Sequence, residues 1–383
     1  MNARERVACV AALLLLLGYG IAGDYERPEL VHLGALLGGA VCLGGALARR
    51  RWAAYGTLAI ALAVGIHERL LNVPFNGNDV MLATNEAVGV LLAGANPYAH
   101  VYQTTNPPGQ PFAYPPGELV FYTLGKLTAG NIFGIDRWAG IANLVLLAAL
   151  APVAGAGLAA LGLTIAAVTG QLAFSAANGS NDSAASFLAL LAVVVLAGAL
   201  RGSGNASRVL WWVSAAAFGW AIVFKQTTVL VYGTVLAYLI RERGDWRGYA
   251  LGSLLPAAAI TLPFVVWDPL GFWRNVVAGL LVHTNVWGRN VWALLTAVAP
   301  GARDAIARFI PSIMLAVWWI GVYACWRFPA RGLGGAVLQG CALLGILFLF
   351  GRWTTWTYYV QVAPLLLAGV ILSLAQDDPG VRA

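Results

Sequence analysis

Long apolar runs separated by short polar breaks occupy nearly the whole chain. Wound into helices that rise 1.5 Å per residue, runs of about 17–25 residues reach across a hydrocarbon core about 30 Å thick. On that criterion membrane spans are expected near residues 7–22, 30–47, 53–71, 184–200, 209–224, 227–240, 249–265, 309–326, 333–350 and 356–374. Three more apolar segments lie at 117–134, 138–152 and 157–175, and the longest polar stretches are 72–116 and 266–308. Neither polar stretch has the apolar content of an independent core. The expected fold is therefore all-α: one polytopic transmembrane bundle over residues 1–383, with about twelve spans.

Composition sharpens this picture. Of the 383 residues, 60% are apolar and 10% charged, with a mean hydropathy of +0.75; a soluble domain carries about 25% charged residues. Cys9, Cys42, Cys325 and Cys341 all fall inside expected spans, as packing residues and not as a disulfide or metal framework. Arg4 and Arg6 before Ala11–Leu17 resemble the start of a signal peptide, but no small-x-small cleavage site precedes Asp24, so an anchor helix is expected. The net charge of +7 requires no nucleic-acid partner, because Arg clusters in short membrane-protein loops record topology.

Those clusters orient the chain. Arg49–Arg51, Arg201 and Arg208, Arg241 to Arg247, and Arg327 with Arg331 sit in short connections, whereas 72–116 contains no Lys or Arg before Pro116. Cytoplasmic retention of Lys and Arg makes both termini cytoplasmic and turns 72–116 and Asn178–Asp182 outward. Parity then allows two full crossings between 117 and 176. The first segment, interrupted by Lys126, is expected to lie at the interface or cross halfway.

Ionisable groups near membrane depth are costly and mark functional sites. On this topology Asp79, Glu86, Asp182, Lys225, Asp268, Arg274, His283, Arg289, Arg303, Arg308 and Arg352 share the outer face. Cations gathered there suit an anionic ligand, and Arg forks match phosphate oxygens. Lys225 and Arg352 stand at helix ends with no acid adjacent in sequence, unlike Arg303 beside Asp304. Gly and Pro punctuate 75–116 into a compact loop around a short surface helix from Val80 to Leu92. Asp79 stands at the start of that helix, where its carboxylate can also serve as a cap.

At these residues the chain resembles the GT-C class of integral-membrane glycosyltransferases. More narrowly, it is similar to the bacterial polyprenol-phosphate-sugar-dependent branch that includes mannosyltransferases of actinobacterial phosphatidylinositol mannosides. The matching features are Asp79 in the first large outer loop, Gly94-x-Asn96-Pro97-Tyr98, Tyr114-Pro115-Pro116 opening a helix, the polar loop Asn178–Asp182, Lys225 at a helix end, and Tyr358-Tyr359. The likeness covers roughly residues 55–375, so 1–50 read as an added two-helix element ahead of a catalytic loop that in the family often follows the first span. The second outer loop, 266–308, lacks a paired acid motif; this argues against a divalent-metal requirement, and no cofactor is expected.

The resemblance implies transfer of a sugar, with inversion, from a polyprenyl monophosphate carrier to a glycolipid or glycan hydroxyl at the outer face of a bacterial plasma membrane. A phosphate leaving group needs no general acid, so one carboxylate suffices, against the two of a glycosidase. Asp79 is assigned as that base. Lys225 and Arg352, then Arg289 and His283, are assigned to the donor phosphate, with Glu86, Asn78, Tyr98, Tyr114, Asn178, Asp182 and Tyr358 as supporting or acceptor-side groups. Trp287, Trp292, Trp353 and Trp356 fit an interfacial aromatic belt. His67-Glu68 has no second His at zinc-motif spacing, and Gly34-x-x-x-Gly38 suits helix packing. No nucleotide-cradling loop is present, which favours a lipid-linked donor. The competing readings are a transporter or flippase, which places charges along a midplane path, and a polysaccharide polymerase or ligase centred on 266–308.

Overall fold

A computed structural model describes residues 1–22, 29–72, 78–105, 108–242, 244–278, 287–351 and 353–376. Its regular structure is helical, apart from a two-residue parallel pairing of Trp287–Gly288 with Trp353–Thr354 and an isolated bridge between Tyr102 and Gln110. The principal helices are α1 (Ala3–Ala22), α2 (Leu30–Leu47), α3 (Trp52–Leu71), α4 (Asp79–Leu92), α5 (Pro116–Ala129), α6 (Ile135–Ala148), α7 (Ala156–Val168) and α8 (Gly170–Ala177). They continue with α9 (Asp182–Arg201), α10 (Gly204–Phe224), α11 (Val229–Arg241), α12 (Trp246–Trp267), α13 (Val291–Val298), α14 (Arg303–Arg327), α15 (Gly332–Leu349) and α16 (Trp356–Gln376).

Among the described residues ten helices are long and apolar enough to cross a membrane, or eleven if the bent pair α7–α8 is one span. The expectation of about twelve differs at α11. The expected span 227–240 becomes 13 helical residues, about 20 Å long, because the backbone leaves the helix at Lys225 before re-entering it. α5 has 14 residues and ends at Gly130 in the left-handed region, too short to span, as the interruption at Lys126 suggests. The segment 157–175 is a helix broken at Thr169 by a 63° bend. Thr169 takes an extended conformation there, and α8 turns away to deliver the loop 178–181.

Burial is uneven around the bundle. In α9, rich in Ala, Leu and Val, 72% of the apolar window is buried against α6, α10 and α16. Small side chains let these helices approach closely, and the apolar core runs from Ala8 on α1 to Ala375 on α16. In α14 only 11% of the window is buried, and its Trp319, Ile320, Tyr323 and Trp326 face outward, as lipid-facing positions require. α1 and α2 pack on each other and on α3 and α7.

The loops sort the bundle into two ends. At one end Arg49, Arg50, Arg51, Arg201, Arg208, Arg241, Arg327 and Arg331 are exposed. At the other end α4, α5, the loop 178–181, the junction at Lys225 and the start of α16 converge.

Candidate active site

The floor of that second end is built where two helix termini meet. α10 stops at Phe224, and Lys225 caps it with an extended backbone (φ −145°, ψ 108°), which swings its side chain towards the start of α9. Asn181, the residue before α9, sits in the left-handed region at φ 60°, a conformation Asn tolerates better than most residues. Lys225 Nζ donates to Asn181 Oδ1 at 2.9 Å and to the carboxylate of Asp182. The ammonium also lies 4.7 Å from the ring centroid of Tyr358, which stacks on Phe348.

Two further carboxyl groups lie behind this pair. Glu118 is completely buried; its Oε1 is 2.7 Å from Thr84 Oγ1, and its Oε2 accepts from Asn181 Nδ2 at 2.8 Å. Asp136 is 2% exposed and accepts from the Tyr122 hydroxyl at 2.7 Å and the Asn181 backbone N–H at 3.0 Å. Asn181 thus meets Glu118, Asp136 and Lys225 at once. A close approach of α5 to α10 makes this possible: a Cβ at Gly117 would lie 2.4 Å from the Val223 carbonyl oxygen, and Trp220 Nε1 donates to the Gly117 carbonyl at 3.0 Å.

Asp79 forms the rim of this cluster. It is the first residue of α4 and half-buried. The cap of α4 is Asn78, not Asp79: Asn78 Oδ1 accepts from the Val80 N–H at 2.9 Å, which Asp79 Oδ1 shares at 2.9 Å. The second Asp79 oxygen makes no bond within the described residues. Tyr114 and Tyr358 are both half-buried, and the carboxyl groups of Asp79, Glu118 and Asp182 all lie within electrostatic reach of both hydroxyls. Burial first, and then Tyr358 and these carboxyl groups, hold the Tyr114 phenol well above its ordinary pKa, so it is a neutral donor.

Several sequence-assigned residues turn out to support the site from behind. Tyr98 is buried among Phe112, Phe264 and Phe272 and donates to the Tyr114 carbonyl at 2.9 Å, while Asn275 Nδ2 donates to the Tyr98 carbonyl at 2.7 Å. Tyr98 is thus buried and tied to Tyr114. Glu86 bonds His100 Nε2 at 2.8 Å and accepts from Thr104 at 2.6 Å. Its partial burial works to raise the carboxyl pKa, but the bonds from Thr104 and His100 outweigh that and hold it below the ordinary value. Glu86 therefore pins the loop 100–104 to α4. Asn178, 6% exposed, accepts from the Ser180 N–H at 3.1 Å and shapes the turn ahead of Asn181.

The expected cations are distributed differently. Lys225 is not without an acid: tertiary structure brings Asp182, 43 residues away, onto its ammonium. Arg289 is exposed; its backbone N–H donates to the Thr354 carbonyl at 2.6 Å, and its carbonyl accepts from Tyr359 at 3.2 Å, which places it beside the start of α16. Arg274 and Arg308 are exposed. His283 and Arg352 lie outside the described residues. Among the described residues the site is therefore acid-rich around one buried lysine, and no group of three or more His, Cys, Asp or Glu is arranged to hold a metal.

Sequence reasoning passed over Glu118, Asp136 and Arg69. Each had a signal, a charge within an apolar stretch. Arg69, on α3, is 3% exposed and donates to the carbonyl oxygens of Gly65 and Ala166 at 3.0 and 3.3 Å.

No protein-family model matches the chain, and no curated protein matches its sequence. Two solved structures share its fold. ArnT from Cupriavidus metallidurans bound to undecaprenyl phosphate superposes with a TM-score of 0.55 at 18% identity, covering 83% of this chain and 59% of that one. The same protein in the apo state gives 0.51 and 20% over the same coverage. The chain thus spans 59% of the length of the ArnT structures it matches. At this identity the likeness concerns architecture alone: the chain has the fold of ArnT.

Proposed function

We propose that this protein is a GT-C glycosyltransferase that moves a sugar from a polyprenyl monophosphate carrier to a lipid or glycan hydroxyl, with inversion, at the outer face of a bacterial plasma membrane. The observation that carries this reading is the convergence of Asp79, Tyr114, Tyr358 and the Lys225–Asp182 pair at one end of a bundle with the fold of ArnT. Undecaprenyl phosphate is bound in one of the ArnT structures, and a polyprenyl carrier needs a site of this kind, with its tail in lipid and its phosphate at the water boundary. The exposed arginines at the opposite end support an outward orientation for the site.

In this reading Asp79 takes the proton of the acceptor hydroxyl. The leaving phosphate gains negative charge in the transition state, and fixed donors aimed at it lower the barrier. Lys225 is such a donor, presented on the floor with Asn181 and Asp182 holding its ammonium in place; Arg289 and, beyond the described residues, Arg352 and His283 complete the proposed phosphate set. The Tyr114 phenol is a neutral hydrogen-bond donor for a sugar or phosphate oxygen. No step in this scheme calls for a cofactor. Mannose is the proposed sugar.

Clustering of the buried carboxyl groups at one end, and not along a path through the bundle, favours transfer over transport. The test is purified protein in lipid nanodiscs with radiolabelled polyprenyl-phosphate-mannose and a lipid acceptor. Transfer is expected from the native chain, with a loss of about 10²–10⁴-fold in Asp79→Asn and little change in polyprenyl phosphate binding. A full rate in Asp79→Asn would remove Asp79 as the base, and no transfer with any polyprenyl-phosphate sugar would remove the activity.

A further inference from the structure

Glu118 poses a hydrogen-counting problem. The Thr84 hydroxyl stands 2.8 Å from the Val80 carbonyl oxygen and 2.7 Å from Glu118 Oε1. A hydroxyl carries one hydrogen. If Glu118 is ionised, one of those two short oxygen–oxygen contacts has no hydrogen in it. If Glu118 is a carboxylic acid, its own O–H fills the contact to Thr84 Oγ1, Thr84 donates to Val80, and Oε2 still accepts from Asn181 Nδ2. Every partner is then satisfied.

The surroundings point the same way. Glu118 is completely buried, and no cation bonds it directly; an isolated buried carboxylate neutralises itself instead. The groups facing it are Lys225 at the end of α10, with Asp182 of α9 behind that ammonium, Asp136 on α6, Tyr122 on its own helix, and Tyr98, Tyr114 and Tyr358. Burial raises the Glu118 pKa and the nearby Asp136 charge adds to it; Thr84, Lys225 and Asn181 act in the opposite direction, and the balance lies at about 8.

We propose that Glu118 is a neutral carboxylic acid whose proton, donated to Thr84, ties the helix carrying Asp79 to the Asn181–Lys225–Asp182 floor, making Glu118 a positioning residue whose ionisation slackens the site. Thr84 lies five residues below Asp79 on α4, and Asn181 is the hub of the floor, so Glu118 joins the rim to the floor through two hydrogen bonds. Ionised, it can hold Thr84 only by taking that hydroxyl from the Val80 carbonyl, and it gains attraction for Lys225, which draws the ammonium from Asp182. This inference rests on the transferase reading for its kinetic consequence but not for its proton.

The proton is therefore tested without catalysis. An infrared difference spectrum of native protein minus Glu118→Gln at neutral pH is expected to show the carbonyl stretch of a protonated carboxylic acid, fading as pH rises through about 8; its absence at neutral pH overturns the proposal even if transfer is robust. Kinetically, Glu118→Gln supplies an N–H to Thr84 and an oxygen to Asn181. It is expected to keep transfer within about fivefold and to lose the alkaline decline of the native enzyme, whereas Glu118→Ala loses about 10²-fold, the cost of a misplacement near 1 Å. An alkaline decline that survives in Glu118→Gln overturns the positioning role. An infrared band in a protein that transfers no sugar leaves the proton assignment standing and removes only the transferase reading.

Discussion

The two ends of the bundle hold their charges in opposite ways. At one end nine arginines, Arg49, Arg50, Arg51, Arg201, Arg208, Arg241, Arg247, Arg327 and Arg331, are all exposed. At the other, Glu118, Asp136, Asp182 and Lys225 are between 0% and 6% exposed; Asn181 bonds Glu118, Asp136 and Lys225, and Lys225 bonds Asp182. A solvated arginine costs the fold little. A buried ionisable group is expensive unless its partners are in place, so the second arrangement persists only where the protein gains something from it. Burial, more than the number of charges, separates topology from chemistry.

The contrast can be broken most severely at Lys225. Lys225→Met leaves Asp182 buried without its cation, and breaking a buried pair in this way costs about 3–5 kcal/mol. A thermal-unfolding series in detergent should show that loss, and a transfer assay a drop of about 10²–10³-fold, as for loss of one electrostatic donor. A native-like melting curve for this variant would mean that the pair contributes nothing. Asp136→Ala comes next: the Tyr122 hydroxyl and the Asn181 N–H lose their acceptor, at about 1–3 kcal/mol for each buried group left unpaired. The same unfolding assay reads it.

A pH series sharpens the comparison further. Glu118 has a folded pKa of about 8 against an ordinary 4.5, so the folded state holds a proton that the unfolded state has released. Its contribution is intact below about pH 4.5 and shrinks as pH rises towards 8, by up to about 1.4 kcal/mol per unit. The stability difference between native protein and Glu118→Gln should follow that slope and flatten above pH 8; a difference independent of pH would contradict it. At the arginine end the expected effect is smallest. Arg208→Gln should leave the unfolding midpoint within about 0.5 kcal/mol of native, and a larger loss would show that this end is also structurally committed.

Much of this was legible in the chain. Most of the spans and the short helix within 117–134 follow from apolar run length, and the cost of charge in lipid singles out Asp79, Asp182 and Lys225, which the structure brings to one end of the bundle. Reading Lys225 as unpaired failed because sequence adjacency says nothing about a partner 43 residues away, and Glu118 and Asp136 were missed because a single acid after Tyr-Pro-Pro-Gly, or at the head of an apolar run, looks like a helix-end residue. Asn178–Asp182 reads as a solvated polar loop, yet Asn181 and Asp182 are each 1% exposed. Its polar side chains are satisfied by other helices and not by water.

By itself the sequence determined that the chain lives in a bilayer and how its loops sort, because run length and Lys/Arg placement act locally and each segment answers to the membrane alone. Only the tertiary structure decided which charges meet. That depends on the break at Lys225, the left-handed turn at Asn181 and the close contact at Gly117, three local geometries whose effect appears only when four helices are brought to one point.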